Sequence, residues 1–406
     1  MVIKGAIVKV ASRCNLNCTY CFMYHAGDDS YQRQPKRMTA LVRDALLQRV
    51  LEHCNRYGLK TFDFILHGGE PLLAGKRFFE QFVAQAIARL TPAVEPRFFI
   101  QTNGLLLDEA WCRHLGRLGI RVGISLDGPA SVNDRYRTDH RGQSSFLAVE
   151  RGLRYALQSD WLVNHPGVLT VIDPTTNPVA VYEYFRSVGV RELDFLFPDA
   201  TFDRPPYQPA TSDTPYADWL ITVFDQWFMT KNKPRIRLFE QLIALILGQD
   251  VQSERWGMGT NEFMVVETNG EIEPSDMLKI CGPDFTKTGV NVCTHALVDA
   301  LDHSLIALHR NSHQTLSRIC QKCPVVAVCG GGLLAHRYSA RKGFDNPSVY
   351  CRDLLKLITH TQSRVIAFLP VAIRQEADLA PLSYDDALAA VQAVQMNGYC
   401  KGDNVK

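Results

Sequence analysis

Cys14, Cys18 and Cys21 stand within eight residues, in SRCNLNCTYCFMY (12–24), directly after the apolar run GAIVKVA. Thiolates at this C-x3-C-x2-C spacing can wrap one corner of an iron–sulfur cube, and three of them leave one iron open. Asn15 and Asn17 favour turn-rich backbone, which lets three sulfurs converge where a helix would splay them. The same residues would suit a zinc ion that borrows a distant ligand such as His25, or three thiols in a core. A second set, Cys320, Cys323, Cys329 and Cys351, reads C-x2-C-x5-C-x21-C with Gly330, Gly331 and Gly332 beside it. Four thiols can close a site by themselves, so this set suits either a fully ligated cluster or structural zinc.

Three further stretches bring polar groups together. HGGEPLL (67–73) offers Gly68 and Gly69 where a ligand would lie against bare backbone, with the Glu70 carboxylate beside that opening. A Gly-Gly pair before Glu-Pro is equally an ordinary strand-to-helix turn. In SLDGP (125–129), Ser125 and Asp127 point the same way by the strand period of two, and a hydroxyl with a carboxylate suits the hydroxyls of a ribose. Arg137, in NDRYRTDHRG (133–142), carries the guanidinium fork that matches a carboxylate.

The elements that must position these groups are legible as runs. GAIVKVA (5–11), FDFILH (62–67), PRFFIQT (96–102), VGISL (122–126), GVLTVI (167–172) and ELDFLF (192–197) have strand length and composition. Helix-period segments lie between them. The clearest starts at Thr39 as N-cap, carries Val42, Leu46, Leu47 and Val50 on one side, and stops at Tyr57-Gly58. Six such strands alternating with helices predict parallel right-handed β/α units, with the chemistry at the strand C-terminal ends. Helices are predicted over 214–248, a Gly-, Pro- and Cys-bearing region from about Asn261, and a tail helix near Tyr384–Met396.

With 406 residues, 46% of them hydrophobic and 21% charged, the chain has the composition of a globular protein with a large core. Its net charge of +2 gives no global field toward nucleic acid or anionic lipid. No segment approaches a membrane span, and no cleavable signal pattern opens the chain, so a cytoplasmic protein is expected. In that reducing setting the twelve cysteines suit metal ligands and buried thiols better than disulfides.

On these residues the sequence resembles the radical S-adenosylmethionine (radical SAM) superfamily, over roughly residues 5–200. Cys14, Cys18 and Cys21 with Tyr20 before the last of them, then Gly68-Gly69-Glu70, then Ser125 and Asp127, are similar to its cluster, amino-group and ribose motifs. The resemblance implies a partial (β/α)6 barrel of TIM-like build, a 4Fe-4S cluster on the three cysteines, and S-adenosylmethionine chelating the open iron. It implies cofactor cleavage to methionine and a 5′-deoxyadenosyl radical that abstracts a substrate hydrogen. Carried across, Glu70 with Gly68 and Gly69 would serve the cofactor's ammonium, Ser125 and Asp127 its ribose, Arg137 its carboxylate, and Tyr20 the cofactor side of the loop.

Residues 258–360 resemble the SPASM auxiliary-cluster extension of such enzymes, which usually carries two clusters. Ser275 and Leu333 stand where that pattern has cysteines. One auxiliary 4Fe-4S cluster on Cys320, Cys323, Cys329 and Cys351 is therefore expected; Cys281 and Cys293 could rebuild a second but do not match its spacing and are read as buried thiols, and Cys54, Cys112 and Cys400 as buried or incidental. Asp276, after Ser275, matches the acidic residue that acts as base in sulfatase-maturing relatives; on its own it is equally a surface Asp ahead of Lys279. The expected domains are a radical SAM core (1–235), a helical linker (236–257), the SPASM-like domain (258–360) and a helical tail (361–406).

FLFPDATFDRPP (195–206) and HRYSARKGFDNPSVYC (336–351) are similar to FxsB-type and cyclophane-forming peptide maturases. That likeness implies an oxidative crosslink, aromatic ring to side-chain carbon, in a ribosomally made precursor peptide. It also implies a flavodoxin- or ferredoxin-type electron donor. With the first strand so near the N-terminus, a leader peptide is expected to use the barrel mouth, the C-terminal region or a separate leader-binding protein. Other readings stay open at this level: formylglycine formation on a sulfatase, a thioether crosslink, or an iron–sulfur electron carrier without catalysis.

Overall fold

A computed structural model describes residues 2–399, so Cys400 lies outside the described residues. The chain divides into two units, one of residues up to 171 with 183–196 and 262–310, the other of 172–182, 197–261 and 311 onward. The stretch expected as one auxiliary domain is thus divided, with 262–310 in the first unit.

The first unit is built on a sheet of strands β1 (Gly5–Ala11), β2 (Thr61–Gly68), β3 (Glu95–Thr102), β4 (Ile120–Ser125), β5 (Gly167–Val171) and β6 (Glu192–Leu196). They pair side by side in chain order, every pair parallel. The two-residue strand β7 (Arg235–Ile236) belongs to the second unit. β8 (Phe263–Val266) adds in parallel to the free side of β1, and β9 (Ile272–Glu273) pairs antiparallel with β8. Parallel neighbours require crossovers. Helices Ala40–Tyr57, Lys76–Leu90, Glu109–Arg117 and Phe146–Leu157 supply those from β1 through β5.

This is the expected α/β barrel-type architecture, and the six predicted strands are found within two residues at each end. Strand faces explain why. In β2, Phe62, Phe64 and Leu66 are fully buried while Asp63, Ile65 and His67 alternate with them and are half-buried. The predicted helix after Thr39 also forms: Thr39 Oγ1 accepts from the Val42 N–H, and Gly58 ends it at φ 68°.

The second unit is mainly helical, with Pro215–Met229, Arg237–Ile246, Cys351–Phe368 and Tyr384–Tyr399 as its longer helices. Among the described residues no helix is long and apolar enough to cross a membrane. Cys54 and Cys112 are buried as expected. Cys293 is exposed, which corrects the expectation of a buried thiol; Val292 takes the inward place, and the Asn291 side chain holds the Cys293 N–H in a surface turn. Cys281 is half-buried.

Truncating the cap, Thr39→Ala, is expected to lower stability by about 1 kcal/mol in denaturant unfolding.

Candidate active site

The loop of Cys14, Cys18 and Cys21 leaves the end of β1 and is held by the ends of later strands. Its backbone is pinned by Asn17 N–H to the Thr138 carbonyl (2.8 Å) and Thr19 N–H to the Tyr136 carbonyl (3.0 Å). His140 bonds the Cys14 carbonyl at 2.9 Å, and Asn103, just past β3, donates to Asn15 Oδ1 at 2.8 Å. A turn at Cys18–Cys21 (3.0 Å) folds the loop on itself. All three cysteines are half-buried. Burial pushes the Cys14 thiol up to about 12 and Cys21 to about 11, and repulsion from the neighbouring cysteines adds to it. They are protonated thiols near neutral pH, and a metal or cluster must displace those protons. His25 is bonded to Asn17 Oδ1 at 2.9 Å. It does not complete a zinc site with the three thiols.

Gly68, Gly69 and Glu70 run against the base of this loop. Gly69 N–H donates to the Ala11 carbonyl (2.9 Å) and Glu70 N–H to the Arg13 carbonyl (3.0 Å). A Cβ on Gly68 would lie 2.1 Å from the Ala11 oxygen, and one on Gly69 would lie 1.9 Å from the Tyr24 hydroxyl and 2.5 Å from the Arg13 backbone. Protein packs against both Cα positions, which leaves no room for a side chain at either. Glu70 is fully buried, and its carboxylate accepts from Thr102 Oγ1 (2.7 Å), Asn103 N–H (2.8 Å) and Leu72 N–H (3.0 Å). Burial pushes its carboxyl up to about 7 against the pull of those bonds. Of the roughly four lone-pair directions of a carboxylate, three are taken, leaving one for a ligand.

Asp127 is buried and accepts from the Tyr20 hydroxyl (2.7 Å) and the Val171 N–H (3.0 Å). Arg137 Nη1 donates to that same hydroxyl at 2.9 Å. Tyr20, Asp127 and Arg137 therefore form one buried chain that ties the cysteine loop to β4 and β5. Asp127 carries these two bonds from protein and lies two residues beyond Ser125, whose hydroxyl accepts from Gln101 Nε2 (2.9 Å) on β3. Arg137 is 6% exposed and its Nε has no hydrogen-bond partner among the described residues, so the guanidinium keeps unused donor capacity for an anion.

One cluster was not foreseen. Lys9 of β1 is fully buried beside its register partner His67 of β2. Its Nζ donates to His67 Nδ1 at 2.8 Å and to Asp276 Oδ2. Asp276 is 5% exposed, so it is no surface residue. Burial would raise its carboxyl, but Lys9, with His67 adding to it, brings it down to about 2. Burial and the Lys9 charge take His67 down to about 3, leaving it a neutral imidazole. Lys279 is engaged separately, with Glu273 (2.8 Å), Glu267 (3.2 Å) and Asp28 (3.7 Å). Nothing in the sequence separates Lys9 from a strand residue facing water. Its signal is the lone charge in an otherwise apolar run.

In the second unit, Cys320, Cys323, Cys329 and Cys351 line a single cavity whose other walls include Val325, Val326, Leu354 and Val391. Burial pushes Cys351 up to about 12, with Cys320 and Cys323 repelling it, and raises Cys329 as well. Gly330, Gly331 and Gly332 all have left-handed φ (58°, 81°, 69°), which turns the chain sharply off Cys329. Among the described residues no group of three or more His, Cys, Asp or Glu is disposed around one metal ion. The irons of a cube occupy separate corners, so its thiolates stand further apart than the donors of one ion. Four thiols on one apolar cavity fit a cube.

Residues 8–178 match the family model of the radical SAM superfamily. The chain contains a radical SAM domain. A cysteine-type anaerobic sulfatase-maturating enzyme of Clostridium perfringens is 28% identical over 371 residues, covering 89% of this chain and 96% of that one. A serine-type anaerobic sulfatase-maturating enzyme of Klebsiella aerogenes is 27% identical over 344 residues, 82% and 79% of the two chains. A solved structure of native anSMEcpe with bound AdoMet and Cp18Cys peptide superposes with TM-score 0.75 at 26% identity, covering 89% of this chain and 98% of that one. The radical SAM family's cofactors are a 4Fe-4S cluster and S-adenosylmethionine, and the radical SAM domain here presents three thiols of the expected type on a braced loop at the strand ends.

Two outcomes follow. Gly69→Ala should lose most iron from the first cluster, read by metal analysis and visible absorption, because Arg13 and Tyr24 must move to admit the methyl group. Asp276→Asn should leave Lys9 buried without its counter-ion and cost about 3 kcal/mol at pH 7. Since the native carboxyl lies below its unfolded value, that contribution is complete above about pH 4 and is lost as pH falls toward 2, so the two unfolding curves should converge in acid.

Proposed function

We propose that this chain is a radical SAM enzyme that modifies a peptide or protein and, within that class, closes a cyclophane-type crosslink from an aromatic ring to a side-chain carbon of a ribosomally made precursor. The radical step rests on one observation: three half-buried thiols on a loop braced by the ends of the parallel strands, with His25 turned to Asn17. Cys14, Cys18 and Cys21 would hold the 4Fe-4S cluster, with Glu70, Ser125 and Arg137 placed for the cofactor's polar groups. When bound, cluster and cofactor supply a carbon radical able to take a hydrogen atom from a substrate carbon. A peptide substrate is supported by the near full-length likeness to sulfatase-maturating enzymes, one of them solved with a peptide.

The crosslink is supported by two stretches that carry the finer resemblance and meet within the second unit. Phe202 N–H donates to the Tyr338 carbonyl (3.0 Å), Ala340 N–H to Asp203 (2.7 Å), and the Tyr350 hydroxyl to the Pro198 carbonyl (2.7 Å). After hydrogen abstraction, forming a carbon–carbon bond to an aromatic ring requires loss of one proton and one electron. Asp276 is the proposed proton acceptor, as the buried carboxylate that matches the acidic residue of the resembling pattern and that Lys9 holds ionised near neutral pH. Cys320, Cys323, Cys329 and Cys351 would hold an iron–sulfur cluster able to accept that electron. Reduction of the first cluster calls for a flavodoxin- or ferredoxin-type donor, and a separate leader-binding protein would present the precursor.

A second reading, oxidation of a sulfatase Cys or Ser to formylglycine, is favoured by the names of both relatives. Ser275 and Leu333, at positions where the resembling pattern has cluster cysteines, speak against it. The two products separate in one experiment. Protein purified without oxygen is reduced with S-adenosylmethionine and a candidate peptide, then analysed by mass spectrometry with and without an aldehyde-reactive hydrazide. A crosslink removes two hydrogens, suppresses backbone fragmentation between the joined residues and ignores the hydrazide; a hydrazone adduct overturns the crosslink.

Iron content should be about eight per chain, falling to about four when Cys14, Cys18 and Cys21 are all changed to Ala. That triple variant should form no 5′-deoxyadenosine, and retained formation would refute the radical assignment. Asp276→Asn should still cleave the cofactor without substrate but lose product by about a hundredfold or more, the ordinary scale of general base catalysis.

A further inference from the structure

Near the second cysteine set, Arg337 is a buried charge that no carboxylate among the described residues answers. It is fully buried, with 0% exposure. Nη1 donates to the Thr315 carbonyl (3.1 Å) and Nη2 to the Ser312 carbonyl (2.9 Å), while Nε has no partner. No carboxylate pairs with it among the described residues. Contrast the buried lysines of the first unit: Lys9 has Asp276, and Lys279 has Glu267, Glu273 and Asp28. A guanidinium stays protonated in proteins, so neutralisation does not relieve this one. A buried charge without a counter-ion costs several kcal/mol.

What faces it is the cysteine set. Once deprotonated as ligands, Cys320 and Cys329 would be the negative groups acting on Arg337. Its guanidinium lies over Gly331, where a Cβ would meet Nη1 at 3.3 Å, and Gly331 lines the same cavity as the four thiols. The two carbonyl bonds aim the group without neutralising it. A Cβ at 331 would also meet Leu316 Cδ2 at 2.6 Å, so the turn that Arg337 lies over is closely packed.

We infer that Arg337 is the built-in counter-charge of the auxiliary cluster, a positioning residue that stabilises its anionic, electron-loaded state and so raises its midpoint potential. This rests on the reading that Cys320, Cys323, Cys329 and Cys351 hold an iron–sulfur cube. Four thiolates give such a cube a net negative charge that grows by one on reduction, so a fixed buried cation favours the reduced form. That direction suits an acceptor of substrate electrons. The electron itself comes from the substrate radical or, in the test below, from an added reductant.

The test uses full-length protein in which Cys14, Cys18 and Cys21 are Ala, so that the auxiliary cluster alone is read. Anaerobic redox titration with soluble mediators, followed by electron paramagnetic resonance, gives the midpoint potential of that parent and of Arg337→Gln and Arg337→Lys in the same background. Arg337→Gln should lower the reduced-to-oxidised ratio at the parent's midpoint by about tenfold, a shift of about 59 mV to more negative potential. Arg337→Lys, which keeps the charge, should stay close to the parent. An unchanged potential in Arg337→Gln overturns the proposal, as does an equal shift in both variants, which would make the carbonyl bonds and not the charge responsible.

Should Arg337→Gln fail to retain iron, full iron in Arg337→Lys supports the charge, and equal loss in both overturns it. A parent that binds zinc or no metal overturns the cluster reading itself, and metal analysis reports that before any potential is measured.

Discussion

Glu70 holds the site together, and most of the active end depends on how that one carboxylate is satisfied. Its own N–H is bonded to Arg13 at the start of the cysteine loop. Its oxygens take the Thr102 hydroxyl and the Asn103 N–H at the end of β3 and the Leu72 N–H of the following turn. Asn103 in turn reaches Asn15. Three strand ends and the thiol loop are thus joined through a group with no exposure to water, where each hydrogen bond is stronger and each missing one more costly. The glycines before it serve the same packing, since a side chain at 68 or 69 would collide with the backbone of Ala11 or Arg13.

The polar chain of Tyr20, Asp127 and Arg137 braces the other side of the loop. The loop is therefore held between two buried networks, one centred on Glu70 and one on Asp127. That rigidity is what thiol ligands require. Three sulfurs must be presented in a set geometry before any cluster binds, and protonated thiols offer no attraction of their own to draw the loop into shape.

Buried charge is handled differently in the two units. In the first, Lys9 is neutralised by Asp276 from far along the chain, and Lys279 by its near neighbours Glu267 and Glu273 and by the distant Asp28; with the β1–β8 pairing, the distant contacts fasten 262–287 to the rest of the unit. Part of the region that resembles an auxiliary domain is consequently welded into the barrel unit by β8 and by these ion pairs. In the second unit Arg337 has carbonyl partners only. The physical distinction is whether the counter-charge is part of the chain.

Sequence alone determined the strand and helix order, the two cysteine sets and the glycine-rich turns, because alternation, capping and short ligand spacing are local properties of the chain. Even the separation of open from closed thiol sets was legible, as a count of three against four. It did not determine what each polar tip is bonded to. Lys9 and Asp276 are 267 residues apart, Tyr20 and Asp127 are 107 apart, and Glu70 and Asn103 are 33 apart. Such partners are chosen by which strand ends the parallel sheet brings side by side. Hence Asp127 acquired a bracing role beside its place as a ribose candidate, Gly69 proved to be packed against Tyr24, and Asp276 changed from an ambiguous acid to a buried, ionised one. Only tertiary structure decided these, since burial and the nearest charge set the state of a carboxylate, and neither is a property of neighbouring residues in the sequence.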